Sequence, residues 1–200
     1  MIVLRHQLRP AIVVTLVLCL ITGAVYPAVV TGLAQILFTR QANGSLVTAN
    51  GRVVGSALIA QGFTRPEYFH PRPSAAGRGY DPTASGGSNK GPTDLKLADT
   101  IAQSVAQVRK EDGVQGPLPS DMVTRSGSGL DPHISPGNAA LQVARVARAR
   151  GVEEGVVRAF VARHTEGRQF GLFGDPRVNV LLLNLDLDAT LPSRGAHAAR

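Results

Sequence analysis

The stretch AIVVTLVLCLITGAVYPAVVTGLAQILF, Ala11 to Phe38, runs for 28 residues without a charged side chain. At roughly 1.5 Å of rise per residue, about 20 apolar residues cross the hydrocarbon core of a bilayer. Gly23, Pro27 and Gly32 interrupt the run, and a helix in a membrane tolerates them because neighbouring groups re-satisfy the freed backbone. The run predicts one transmembrane helix at 11–38, after a short flank at 1–10. A secretion signal is the competing reading, since Arg5, His6 and Arg9 make a positive region ahead of it. Signal cores hold about 7–15 apolar residues and close at a small-residue site. This run is longer, and its nearest such site, Thr22-Gly23-Ala24, has Pro27 just beyond, so an uncleaved anchor is expected. Arg5 and Arg9 lie before the run, Arg40 and Arg52 after it. The slight bias of the positive-inside rule puts the amino terminus in the cytoplasm and the rest of the chain outside.

What remains after the anchor is enough for one ordinary domain with a core of its own. The chain carries 21 basic and 14 acidic residues, and three of the basic ones, Arg5, Arg9 and Arg40, fall in residues 1–40. The remainder is only modestly basic and has no run of Lys or Arg. Aromatic residues make up 4% with no Trp, which leaves few stacking platforms for nucleic acid. Cys19, the sole cysteine, lies inside the apolar run, so neither an intrachain disulfide nor a cysteine zinc site is available.

Along the domain, Asn50-Gly51 between Ser45–Ala49 and Arg52–Gly55 predicts a hairpin with a type I′ turn. Phe63 to Thr93 holds Pro66, Pro71, Pro73, Pro82 and Pro92 and reads as a long irregular loop. Its aromatics Phe63, Tyr68, Phe69 and Tyr80 imply that it packs on something. A helix follows, capped by Thr93 or Asp94, with an apolar stripe of Ile101, Val105 and Val108 and Gly113 past its end. Pro117 to Thr124 reads as extended. Ser135-Pro136 starts a helix that stops at Gly151. Ala140, Ala144 and Ala147 suit close packing on it, and Arg145, Arg148 and Arg150 suit a solvated carboxy-terminal end. A third helix, about Glu153 to Thr165, is expected to bury Val156, Val157, Phe160 and Val161. Leu183, Leu185 and Leu187 alternate with Asn184, Asp186 and Asp188, which predicts a strand over 178–188 with the two aspartates toward solvent. The mixture gives an α+β (mixed α/β) soluble domain at 39–189 on a single N-terminal transmembrane helix, with a flexible tail at 190–200.

Motifs for chemistry are sparse. Gly86-Gly87-Ser88-Asn89-Lys90-Gly91 has the glycines of a phosphate loop, but a Walker loop needs Gly-Lys followed by Ser or Thr, and Lys90 is followed by Gly91-Pro92. Its backbone amides remain able to hold an anion. Ser128, Asp131, His133 and Ser135 have the residue types of a membrane-tethered hydrolase, without the nucleophile elbow G-x-S-x-G. His6, His70, His133, His164 and His197 are scattered, so no metal site is expected.

The motifs taken in order resemble one family, the C subunit of the bacterial Kdp potassium-transporting ATPase (KdpC). They are Thr22-Gly23-Ala24-Val25-Tyr26-Pro27, Gln41-Ala42-Asn43-Gly44-Ser45, Phe69-His70-Pro71-Arg72-Pro73-Ser74 and Ala84-Ser85-Gly86-Gly87-Ser88-Asn89. Ser126-Gly127-Ser128-Gly129-Leu130-Asp131-Pro132-His133-Ile134-Ser135-Pro136 is the most specific, followed by Arg145–Gly151 and Arg177–Leu181. Lys90, where an apolar residue is common, and the residues after Asp188 depart from the pattern.

The resemblance implies a non-catalytic, single-pass subunit of the inner membrane. Its partners would be a channel-like potassium-binding subunit, a P-type ATPase subunit and a small fourth subunit. The expected role is assembly, together with that of a catalytic chaperone raising the ATP affinity of the ATPase subunit. The alternative is an extracytoplasmic subunit bracing the channel-like subunit at the potassium entrance. No cofactor is expected on the chain alone, with ATP entering only beside the ATPase subunit. Ser126, Gly127, Ser128, Gly129, Asp131, His133, Ser88 and Asn89 are the expected partner- or nucleotide-contacting residues. Gly23, Tyr26, Pro27 and Gly32 are the expected packing face of the anchor.

Overall fold

The structure is a computed structural model and describes residues 2–191, with side chains described from residue 6. The expected tail lies outside the described residues from 192 on. The chain divides into two units, Met1–Leu46 and Val47–Arg200.

The first unit is helical from its start. α1 (Ile2–Leu20) leads into a π turn at Ile21–Val25 and then α2 (Tyr26–Leu37), with a last turn α3 (Thr39–Ala42). The helix thus begins well before Ala11. His6–Leu37 is long and apolar enough to cross a membrane, with mean hydropathy 2.4 and none of it buried. Thr22 Oγ1 donates to the Leu18 carbonyl at 2.7 Å, a competing bond that bends helices and helps place the π turn here. The backbone leaves helical geometry at Phe38 (φ −137°).

The second unit mixes helix and sheet. β1 (Leu46–Ala49) and β2 (Arg52–Ser56) form the hairpin. Asn50 and Gly51 both take positive φ, +50° and +74°, as a type I′ turn requires. A three-stranded antiparallel sheet has the order β3 (His133–Ile134), β5 (Arg177–Asn179), β4 (Thr165–Glu166). Its register pairs Ile134 with Val178 and Thr165 with Val178 from the other side.

α4 (Leu95–Asp112) begins where the Asp94 carboxylate accepts from the Lys96 amide at 2.8 Å, and ends at Gly113 in the left-handed region. Its expected stripe, Ile101, Val105 and Val108, is half-buried. Pro117–Thr124 is not extended. Ser120–Val123 makes one helical turn, α5, and buries Met122 and Val123. The turn aims the Asp121 carboxylate at Ser135 and Asn138, a tertiary demand that local propensity does not contain.

α6 (Pro136–Arg150) is capped by Ser135 and closed by Gly151 (φ +69°). Ala140 is exposed and Ala144 half-buried; Ala139, Val143, Val146 and Ala147 form the packing face. α7 (Glu154–Arg163) buries Val157, Phe160 and Val161 but leaves Val156 exposed. These residues join Ile134, Val178, Leu183, Leu187 and Phe69 in one core. Burying each such side chain contributes roughly 1.5–3 kcal/mol.

The expected strand at 178–188 is the largest error. After three residues of β5, Asn179 Oδ1 accepts from the Leu182 amide at 3.1 Å and starts α8 (Val180–Thr190). The buried positions are Val180, Leu181, Leu183, Asn184 and Leu187, a helical spacing rather than an alternating one.

Candidate functional site

Two loops that stand apart in sequence are tied together. The Ser128 carbonyl accepts from the Gly86 amide (2.8 Å) and the Ser85 hydroxyl (3.0 Å). The Gly129 carbonyl accepts from Ser74 Oγ at 2.6 Å, and the Leu130 carbonyl from the Ala60 amide at 2.9 Å. Gly129 sits at φ +69°, where a Cβ would lie 2.6 Å from the Ala76 amide nitrogen and 2.8 Å from the Gly86 carbonyl oxygen. Only glycine fits both the angle and the gap. A Cβ on Gly87 would likewise come 2.9 Å from the Gly127 carbonyl oxygen.

The expected contact residues therefore have definite places. Ser126 and Gly129 are buried, and Gly127 and Ser128 are exposed at the tip. Ser128 Oγ accepts from the Leu130 amide at 3.1 Å. Asp131 accepts from the His133 amide at 3.0 Å and from Arg72 at 3.1 Å. Burial works to raise the Asp131 carboxyl, but hydrogen bonds from His133 and Arg72 outweigh it and hold the group below its usual range. Ser135 Oγ donates to Asp121 at 3.0 Å and accepts from the Asn138 amide. The side chains of Ser128, Asp131 and Ser135 thus serve as turn and cap partners, while the His133 imidazole stands 3.6 Å from Asp131. Ser88 lines a small cavity of about 20 Å³ with Lys90, Thr100 and Arg125. Asn89 is exposed at φ +53°. Gly23, Tyr26, Pro27 and Gly32 all lie exposed in the helical unit, and a Cβ on either glycine would meet nothing within 4 Å.

The sequence reading missed a second construction. The main chain of Pro66–His70 is gripped by buried side chains from two helices. Gln142 accepts from the His70 amide (2.7 Å) and donates to its carbonyl (3.0 Å). Asn184 does the same to Phe69, at 2.8 and 2.9 Å. Arg145 donates to the carbonyls of Pro66 and Tyr68, and Arg150 to that of Glu67. Arg145 is also paired with Asp112 at 2.6 Å, the two side chains 6% and 4% exposed. Arg145 and Arg150 are therefore buried and do not form the solvated helix end expected from sequence; Arg148 alone of the three is exposed. Asp188 binds Arg150 (2.8 Å) and the Tyr68 hydroxyl (2.9 Å), and Asp186 binds His164 (2.8 Å), so both aspartates are paired and partly exposed on a helix, not free on a strand face.

Between this gripped segment and α4 lies a cleft of about 390 Å³, lined among others by Phe63, His70, Tyr80, Gln107, Glu111 and Arg125. A neighbouring cleft of about 470 Å³ shares Thr64, His70 and Glu111 and adds Arg145 and Arg148. Burial, and then the nearby Arg145 guanidinium, push the His70 imidazole below its usual range. His70 Nδ1 stands 3.8 Å from Glu111. The i, i+3 pair Gln142/Arg145 was the available signal for this region, but nothing local marks it as buried.

A sequence profile of the family described as KdpC, K+-transporting ATPase, c chain, matches residues 8–189. The potassium-transporting ATPase KdpC subunit of Gemmatimonas aurantiaca is 62% identical over 194 residues, covering 95% of this chain and 98% of that one. The KdpC subunit of Koribacter versatilis is 54% identical, with 94% and 97% covered. That of Geobacter sulfurreducens is 50% identical, with 93% and 99% covered.

Proposed function

Because the chain belongs to the KdpC family of K+-transporting ATPase subunits, we propose that it is a non-catalytic brace for a potassium pump in the bacterial inner membrane. In this reading the domain works on the extracytoplasmic face, against the channel-like subunit. The observation that carries it is the tie between two loops. The bonds from Ser74, Ser85 and Gly86 to Ser128 and Gly129 join the 63–93 loop and the 126–135 loop into one stiff face. A stiff face suits a permanent contact, since little ordering remains to be done on binding.

The side of the membrane rests on Arg5 and Arg9 ahead of the span. A higher affinity of the ATPase subunit for ATP would then be transmitted: a brace that favours one conformation of the complex favours every ligand of that conformation. The side chains of Ser128, Asp131 and Ser135 are engaged with turn and cap partners, which supports the non-catalytic role.

Two measurements test this. The pump is purified with and without this chain, and potassium-stimulated ATP hydrolysis is followed against ATP concentration. Loss of assembly or a raised KM for ATP is expected, and unchanged assembly and kinetics overturn the proposal. For sidedness, Asp99→Cys on exposed α4 in a Cys19→Ser background is treated with a membrane-impermeant thiol label in whole cells. Labelling without lysis is expected. Labelling only after lysis rejects the outer brace in favour of a domain that meets ATP and the ATPase subunit directly.

A further inference from the structure

The turn Arg168–Gly174 projects Phe170, Leu172 and Phe173, which are 86%, 74% and 65% exposed. Contiguous large apolar side chains at this exposure mark an interaction site. The apex is held by its own backbone. Gln169 and Phe173 exchange two bonds, the Gln169 amide to the Phe173 carbonyl (2.9 Å) and the Phe173 amide to the Gln169 carbonyl (3.0 Å). The Gly171 amide donates to Arg168 and that of Leu172 to Gln169, at 3.0 and 3.1 Å. Four of the five amides from Gln169 to Phe173 are thus satisfied inside the turn. Phe170 takes φ +54°, a left-handed conformation unusual for a bulky residue.

We propose that this turn dips into the lipid headgroup and acyl boundary of the membrane that anchors the chain. A partner protein can supply hydrogen bonds to an open loop, but lipid tails cannot. A turn that satisfies four of these five amides internally and shows only apolar side chains at its apex suits the headgroup and acyl boundary, where its remaining backbone groups still reach water. The residues from Gln169 to Gly174 carry no charge, and beyond them the charges are paired, Arg168 with Asp175 (3.3 Å) and Arg177 with Glu166 (2.8 Å). An aromatic and aliphatic tip above a rim of paired charges matches the boundary between acyl chains and polar headgroups. The membrane is at hand, because only Phe38–Ser45, with the helical turn α3 inside it, separates the span from the domain. The inference depends on the anchor alone and holds on either side of the bilayer, so its failure leaves the brace reading standing.

The chain has no Trp, so Phe173→Trp supplies a single emitter. The full chain is reconstituted into vesicles of phosphatidylcholine and phosphatidylglycerol, with and without bromine in the acyl chains. Leu172→Trp is a second probe, and Leu95→Trp, at an exposed position on α4, is the control. Emission from both turn probes is expected to shift to the blue and to be quenched by brominated lipid several-fold more than the control. Adding Phe170→Asp should abolish most of that quenching while the circular dichroism spectrum stays unchanged. Quenching by aqueous acrylamide but not by brominated lipid overturns the proposal. A blue shift that arises only on assembly with the other subunits, and ignores brominated lipid, also overturns it and makes the turn a protein contact.

Discussion

Ser126–Leu130 and Arg168–Gly174 are both short, both rich in glycine, and both hold glycine at positive φ. The first turns its carbonyls inward, where Ser74, Ser85 and Gly86 bind them. The second closes on itself and turns two phenylalanines and a leucine outward. Glycine therefore has two uses here. In the first loop it admits a neighbouring backbone; in the second it only permits a tight bend. The gripped segment Pro66–His70 is a third solution, in which helix side chains bind the main chain of a turn and of the two residues that follow it.

Substitutions can break these distinctions, and the largest effect belongs to the grip. Arg145→Ala leaves Asp112 buried without its partner and frees two carbonyls. It should cost about 3–5 kcal/mol, read from urea unfolding in detergent by far-ultraviolet circular dichroism. Next comes the glycine pair. Gly129→Ala combines left-handed strain with backbone clashes and should cost about 3 kcal/mol. Gly171→Ala at φ +73° meets nothing within 4 Å and should cost only about 1 kcal/mol. Equal losses in the two variants would erase the contrast between the loops.

Asp131→Asn loses the Arg72 pairing and should cost about 1 kcal/mol at neutral pH. The folded carboxyl lies below its ordinary value of 3.8. Its contribution is therefore present above that value and is lost as pH falls through the folded one. Unfolding curves of the wild-type and Asp131→Asn chains should converge on acidification into that range. The smallest effect is expected at the apex: Phe170→Ser and Leu172→Ser should each change stability by less than about 0.5 kcal/mol. A large loss there would mean that the turn packs on the domain.

Elements with local signals were legible in the sequence. Asp94, Gly113, Ser135-Pro136 and Gly151 mark α4 and α6 because caps are chemistry between near neighbours. Asn50-Gly51 marks the hairpin for the same reason. The segment at 178–188 misled because Leu183, Leu185 and Leu187 fit an alternating pattern as well. The deciding residue is Asn179, whose cap ends β5 and begins α8. The burial of Arg145 and Arg150 was not legible, since Asp112, Pro66 and Glu67 come from distant parts of the chain. The loop residues from Ser126 to His133 were found by motif, but their inward bonding depends on loops 40 or more residues away. The exposure of the apex at Phe170–Phe173 has no local signal, since apolar residues in a sequence suggest core.

The grip on Pro66–His70 is made chiefly on main-chain groups, with Tyr68 also held by its hydroxyl on Asp188. Gln142, Asn184, Arg145 and Arg150 recognise carbonyls and amides that every residue type except proline presents in full. Phe69, which fills the core, and Tyr68 and His70, which bond Asp188 and the Arg65 carbonyl, are held by their side chains as well, so only the rest of the segment can change in sequence while the path stays fixed. The clefts beside it can change their lining, and with it what they accept, without a change of fold.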